Sequence, residues 1–161
     1  MTIQVGDKVP SINLSIMTDS GPKPVTINEL STDKKIVLFA VPGAFTPTCS
    51  VQHLPGFLEK NKELKDKGVD TIACVSVNDP FVMKAWGEDR GVGEDVLMLS
   101  DGNGEFTSAI GLEMDGSGFG LGTRSQRYAM IIDDGVVSAL NVEPGPGLDV
   151  SSAEAILELL S

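Results

Sequence analysis

Two short runs, Lys35 to Val41 (KIVLFAV) and Val69 to Val77 (VDTIACVSV), are apolar at almost every position and partly β-branched. A strand with one wet face alternates apolar and polar residues, so runs like these predict strands covered on both faces. Between them, from about Pro47 to Lys67, the residues Val51, Leu54, Phe57, Leu58 and Leu64 recur at mostly helical spacing among Glu and Lys, and Gly68 follows as a terminator. Pro55 is expected to kink this helix. Strand, helix and strand together make a βαβ unit, and the rest of the chain has to fold onto that frame.

The remaining segments extend it. Asn78-Asp79-Pro80 opens a helix through Trp86, with Asn78 or Asp79 as cap and Pro80 near its first position. Val96 to Leu99 is a short strand, and Ser100-Asp101-Gly102 leads into a short helix ending near Gly111. Arg127 to Ile132 and Val136 to Val142 read as strands joined by the hairpin signal Asp133-Asp134-Gly135. Ser151-Ser152-Ala153-Glu154 reads as a capping box before the closing helix AILELL. The order predicts an α/β fold with a central mixed β-sheet flanked by helices, as in thioredoxin-like folds. No repeat or linker divides the chain, so residues 1–161 are expected to form one domain. With 41% hydrophobic residues it can build a core without a disulfide or a metal.

Charge excludes some partners. The 12 Lys and Arg stand against 23 Asp and Glu, a formal net charge of -11 that repels phosphate backbones and anionic membranes. The longest apolar stretch, Ile36 to Phe45, contains Pro42 and falls well short of the roughly 20 residues of a membrane helix. Neither nucleic acid nor membrane is therefore an expected partner. MTIQVGDKVP has no leader-like pattern, and 2 Cys with 1 His cannot fill a four-ligand zinc site. A reducing compartment follows: the cytoplasm, or an organelle interior such as a plastid stroma if a transit peptide has been removed.

One of the two thiols stands in the stretch PGAFTPTC, directly after the first strand. With Pro47 at the first helical position, Thr46 becomes the N-cap and Cys49 falls inside the first turn, near free N–H groups and the positive end of the helix dipole. The dipole is worth roughly 0.3–1 kcal/mol, less than a tenfold gain in thiolate, so a strong nucleophile also needs a cation. The chain's arginines are Arg90, among acidic residues and expected to be solvated, and Arg124 and Arg127, entering the hairpin strand. His53 could share a helix face with Cys49 as in a Cys–His hydrolase, but nothing supplies a third member. A dithiol C-x-x-C is absent, and Cys74, inside TIACVSV, reads by default as core.

PGAFTPTC is followed in order by HLPGF, SVNDPFVMKAW, LSDGNGEF and RSQRYAMIIDDGVV. Over nearly the whole chain this pattern resembles the peroxiredoxins, closely the type II or peroxiredoxin-five branch. The resemblance implies a thiol-dependent peroxidase that reduces hydrogen peroxide and alkyl hydroperoxides through a cysteine sulfenic acid at Cys49, with no metal or organic cofactor. It implies that Thr46 hydrogen-bonds the peroxide and the sulfur, that Pro42 shields the pocket, and that Arg127 is the thiolate's cation. It further implies a homodimer paired through the PGAFTPT loop and the NDPFVMKAW segment, with Phe45, Phe81 and Trp86 as apolar contacts. Some members carry a resolving Cys near the stretch reading GPGLDVSS here, where this chain has Val150; plant-like members instead share the Cys49 and Cys74 spacing. Cys74 should lie about 10 Å below the edge of its strand at ~3.3 Å per residue, so bonding it to Cys49 would require unwinding the helix start. The expectation is an assisting Cys74 and recycling by glutaredoxin with glutathione, or by thioredoxin. The rival reading is a non-catalytic, redox-sensing binding or chaperone module, which needs no Thr46, Cys49 and cation together.

Overall fold

A computed structural model describes residues 2–145 and 147–160. Its strands are β1 (Leu14–Thr18), β2 (Gly21–Val25), β3 (Lys35–Ala40), β4 (Thr71–Ser76), β5 (Leu97–Ser100), β6 (Glu113–Asp115), β7 (Thr123–Ser125), β8 (Tyr128–Asp133) and β9 (Val136–Val142). Its α-helices are α1 (Ile27–Ser31), α2 (Leu54–Glu59), α3 (Asn61–Asp66), α4 (Pro80–Asp89), α5 (Glu105–Ile110) and α6 (Ala153–Leu160). Seven strands form one mixed sheet in the order β2-β1-β5-β4-β3-β8-β9, and β6 pairs with β7 in a separate ribbon. β3, β4 and β5 run parallel, while β8 lies antiparallel against β3. The β8 to β9 turn places Asp134 at φ 46° and Gly135 at φ 80°, the left-handed pair that a two-residue hairpin requires.

Continuous apolarity in β3 has the expected cause. Val37, Phe39 and Val41 enter one core layer with residues of α2, α3, α4 and α6, while Ile36, Leu38 and Ala40 enter the opposite layer with Ile27, Phe106 and Ile110. Both Cys49 and Cys74 belong to the first layer.

Three expectations need correction. The segment from Pro47 to Lys67 is not one kinked helix. It contains a π-helical turn (Cys49–His53), then α2, a break at Lys60 and α3. In the π turn Leu54 N–H reaches back to the carbonyl of Cys49, five residues away. The wider turn lies just ahead of Pro55, whose ring would crowd the carbonyl of Val51 in a regular helix. At α6 the capping box does not form: Ser152 Oγ accepts from Ala155 N–H at 3.2 Å, while Ser151 is buried elsewhere. Strands β1 and β2 have no counterpart in the sequence reading, because GPKPV carries two prolines and is tolerated only as an edge strand.

Candidate active site

The chain leaves β3 through a tight loop, Pro42 to Thr46, whose conformation is fixed from three sides. Ala44 N–H donates to Asn78 Oδ1 at 3.0 Å, and Ser76 Oγ donates to the same oxygen at 2.6 Å. Arg124 Nη1 donates to the Pro42 carbonyl at 3.3 Å, and a Cβ on Gly43 would come within 3.0 Å of that nitrogen. A side chain there would have to push the Arg124 guanidinium or the Thr46 methyl aside by a few tenths of an ångström. Phe45 is left at φ 66°, a left-handed conformation that costs a bulky residue strain and persists because the loop is held around it.

Thr46 then starts the helix. Its carbonyl accepts Ser50 N–H at 2.9 Å, which makes it the backbone N-cap, with Pro47 next and Cys49 in the first turn. Its hydroxyl departs from the expected capping role and donates to the Gly43 carbonyl at 2.6 Å. Pro42 is half-buried beside it.

Cys49 is fully buried, and Arg127 Nη2 donates to its sulfur at 3.1 Å. Arg124, spent on the carbonyls of Pro42 and Leu121, does not make this contact. Arg90, expected to be solvated, donates to the carbonyl of Ser50 at 3.2 Å. Arg127 is itself buried, and its Nε has no partner among the described residues. Desolvated guanidinium donors of this kind favour an anionic neighbour.

His53 sets the guanidinium. Arg127 Nη1 lies 2.9 Å from His53 Nδ1, and His53 Nε2 lies 2.9 Å from the Ser151 carbonyl. A guanidinium can only donate and a carbonyl can only accept, so Nδ1 is the acceptor and Nε2 carries the proton. The ring is therefore neutral. Burial, and next the Arg127 charge, lower its pKa from 6.5 to about 3, against the opposing pull of Ser151 and Glu143. Phe39 and Phe57 pack around it at centroid distances of 4.9 and 5.6 Å. A neutral histidine beside a charged arginine is a poor general base, which removes the hydrolase arrangement.

The redoxin family model, described as "Redoxin", matches residues 4–157. Peroxiredoxin-2E-2, chloroplastic, of Oryza sativa subsp. japonica is 60% identical over 164 residues, covering 99% of this chain and 73% of that protein. The chain belongs to the peroxiredoxin family of thiol peroxidases. Peroxiredoxin-2B of Arabidopsis thaliana is 50% identical, with 98% of both chains covered. The crystal structure of reduced Prx3 in complex with H2O2 from Vibrio vulnificus superposes with a TM-score of 0.95 at 57% identity, covering 99% of this chain and 100% of that one. The expected thioredoxin-like fold is therefore the observed one, and family membership brings a peroxide substrate and a thiol reductant.

Other residues of this peroxiredoxin lie where the sequence did not place them. Trp86 is fully buried and donates through Nε1 to Ser50 Oγ at 2.9 Å, so it is not a surface contact. Phe119, 86% exposed in a turn between β6 and β7, was not singled out. Cys74 is a free, buried thiol on β4; burial, and next the neighbouring Cys49, push its pKa well up, against the pull of Arg127. Ser151, read from the sequence as part of a helix cap, instead meets His53 through its backbone carbonyl, and Glu143, which binds Ser151, was not singled out.

Proposed function

We propose that Cys49 is the thiol this peroxidase oxidises, with Arg127 as its cation, Thr46 as the residue that orients the peroxide and Pro42 as the shield over the sulfur. The observation that carries this reading is the 3.1 Å contact between a buried guanidinium and a buried sulfur at the start of a helix. In the reaction the ionised sulfur attacks one peroxide oxygen. An S–O bond forms, the O–O bond breaks, and the departing hydroxide or alkoxide takes up a proton. Negative charge moves from sulfur to that oxygen, so fixed donors along its path lower the barrier beyond what they give the ground state. Thr46 can contribute only when its hydroxyl proton turns from the Gly43 carbonyl to the substrate.

The product is a sulfenic acid. A reductant thiolate attacks that sulfur, water leaves, and a second thiol reduces the mixed disulfide. Glutaredoxin with glutathione, or thioredoxin, fits this step, and Cys74 is an assisting thiol. Such recycling needs a reducing compartment; the name of the rice relative favours an organelle interior over the cytoplasm, and fractionation of the source cells decides between them.

The test is stopped-flow oxidation of the reduced protein by hydrogen peroxide, followed by Trp86 fluorescence, whose indole touches the residue after Cys49. Cys49→Ser should lose both the signal and all turnover, because a serine hydroxyl is not ionised at neutral pH. Turnover retained in that variant would remove Cys49 from the mechanism.

The same reading includes a homodimer paired around this loop. Phe45 and Phe81, 52% and 65% exposed, flank the Ala44 to Asn78 hydrogen bond that joins the two segments. Buried Trp86 leaves the pairing face. Sedimentation at micromolar concentration that finds only the 16.9 kDa monomer would count against it.

A further inference from the structure

We infer that Glu143 is a positioning residue for the reacting thiol, acting on it through Ser151, His53 and Arg127. The inference rests on Cys49 being that thiol. Glu143 directly follows β9, and its N–H donates to the Arg127 carbonyl at 2.9 Å, so the two residues face each other across the β8 to β9 ladder. Its side chain turns away from that pairing. The residue is 7% exposed, and Oε2 accepts from Asp149 N–H at 2.9 Å, Ser151 N–H at 2.7 Å and Ser151 Oγ at 2.6 Å.

Three donors on one carboxylate oxygen fix Asp149 and Ser151 against the end of β9, assisted by Asn141 Nδ2 on the Val150 carbonyl at 2.8 Å. That placement aims the Ser151 carbonyl at His53 Nε2. The carbonyl holds the proton on Nε2, which leaves Nδ1 as an acceptor for Arg127 Nη1 and turns Nη2 to the sulfur. Remove the carboxylate and each later link loses its reference point.

Burial alone would raise the Glu143 pKa; the Ser151 hydroxyl and the N–H groups of Asp149, Ser151 and Val150 outweigh it and hold the carboxyl below its usual value. The group is therefore ionised at neutral pH. The charged groups acting on His53 are Arg127 and Glu143, and the rest of its contact is with the rings of Phe39 and Phe57.

Glu143→Gln keeps the volume but presents an amide to three N–H and O–H donors. It should slow peroxide oxidation of Cys49 about tenfold, less than the roughly hundredfold that a misplacement of about 1 Å costs. The decisive comparison is made in a His53→Phe background, where the ring still packs on Phe39 and Phe57 but both nitrogens are gone. There Glu143→Gln should change the rate no further, because the path from Glu143 runs through those nitrogens. A general weakening of the fold would instead slow both backgrounds alike. Oxidation at the parent rate in folded Glu143→Gln, or the same tenfold loss in both backgrounds, would overturn the inference. If Glu143→Gln does not fold, Ser151→Ala, which deletes only the hydroxyl donor, carries the same comparison with a severalfold loss expected in the parent and none in His53→Phe. Cys49→Ser is run alongside. Loss of the fluorescence signal there makes a flat Glu143 result count against the relay alone, whereas a retained signal overturns the assignment of Cys49 and the relay with it.

Discussion

Arg127 serves two acceptors at once, sulfur through Nη2 and His53 Nδ1 through Nη1, and no side chain but arginine can do so with a fixed fork. Arg127→Ala should therefore lower the rate of peroxide oxidation by about a hundredfold, the scale of a lost charge-stabilising donor. Arg127→Lys should recover only part of it, having one point charge for two partners. Arg124→Ala should cost a few-fold, because that side chain holds the Pro42 carbonyl and abuts Gly43 without touching the sulfur. Stopped-flow rates for the three variants check this order, and an Arg124 variant slower than the Arg127 one would reassign the cation. At this scale the sequence pointed to Cys49 at a helix start and to a need for a cation, and only the resemblance chose Arg127 over Arg124; the structure puts Arg127 Nη2 at the sulfur. The Thr46 hydroxyl was misjudged, since the loop bends Gly43 into reach and no spacing rule reports that bend.

The element that carries the thiol is a π turn whose central carbonyl, on Ser50, is served by a side chain from another helix. Leu54 N–H goes to Cys49, Pro55 has no N–H, and so neither supplies Ser50 with the bond a regular helix would give. Arg90 and Trp86 of α4 fill the gap, one on the Ser50 carbonyl and one on its hydroxyl. The turn is thus held from outside as well as by its own backbone bonds, and releasing it also means breaking two side-chain contacts, each worth about 1 kcal/mol net. Cys74 is held in β4 by pairing with both Phe39 and Met98, so the π turn is the side that would have to move if the two thiols were to bond. Turnover of Cys74→Ser should therefore continue with glutathione and glutaredoxin, where an external thiol reaches the sulfenic acid, and fall with thioredoxin, which acts best on a formed disulfide. Loss with both reductants would make Cys74 obligatory. The sequence showed the βαβ frame, α4 with Asn78 or Asp79 as its cap, of which the structure uses Asp79, and the Asp134-Gly135 hairpin, all of which rest on local chemistry. The division of the long helix and the edge strands β1 and β2 rest on tertiary contacts, to which local spacing is blind.

The molecule as a whole has a single histidine, and that fact turns one buried ring into a measurable property of the entire fold. Unfolded, His53 takes up a proton around pH 6.5; folded, it does so only at about 3. Because the folded value is the lower one, the unfolded chain binds the extra proton between them, so stability is complete above 6.5 and falls as pH drops toward 3. The slope approaches about 1.4 kcal/mol per pH unit, or roughly 2 kcal/mol lost by pH 5. The ordinary values of Asp and Glu lie mainly below this window. Relief of repulsion among the 23 acidic residues would act in the opposite direction, but only once they begin to protonate. Urea midpoints taken at pH 7, 6 and 5 should therefore fall steadily at constant ionic strength. His53→Phe should flatten the series, since its ring is neutral in both states. A midpoint that holds from pH 7 to 5 in the parent protein would mean that His53 is protonated in the folded state, and with it the Nδ1 acceptor that fixes Arg127 would be gone.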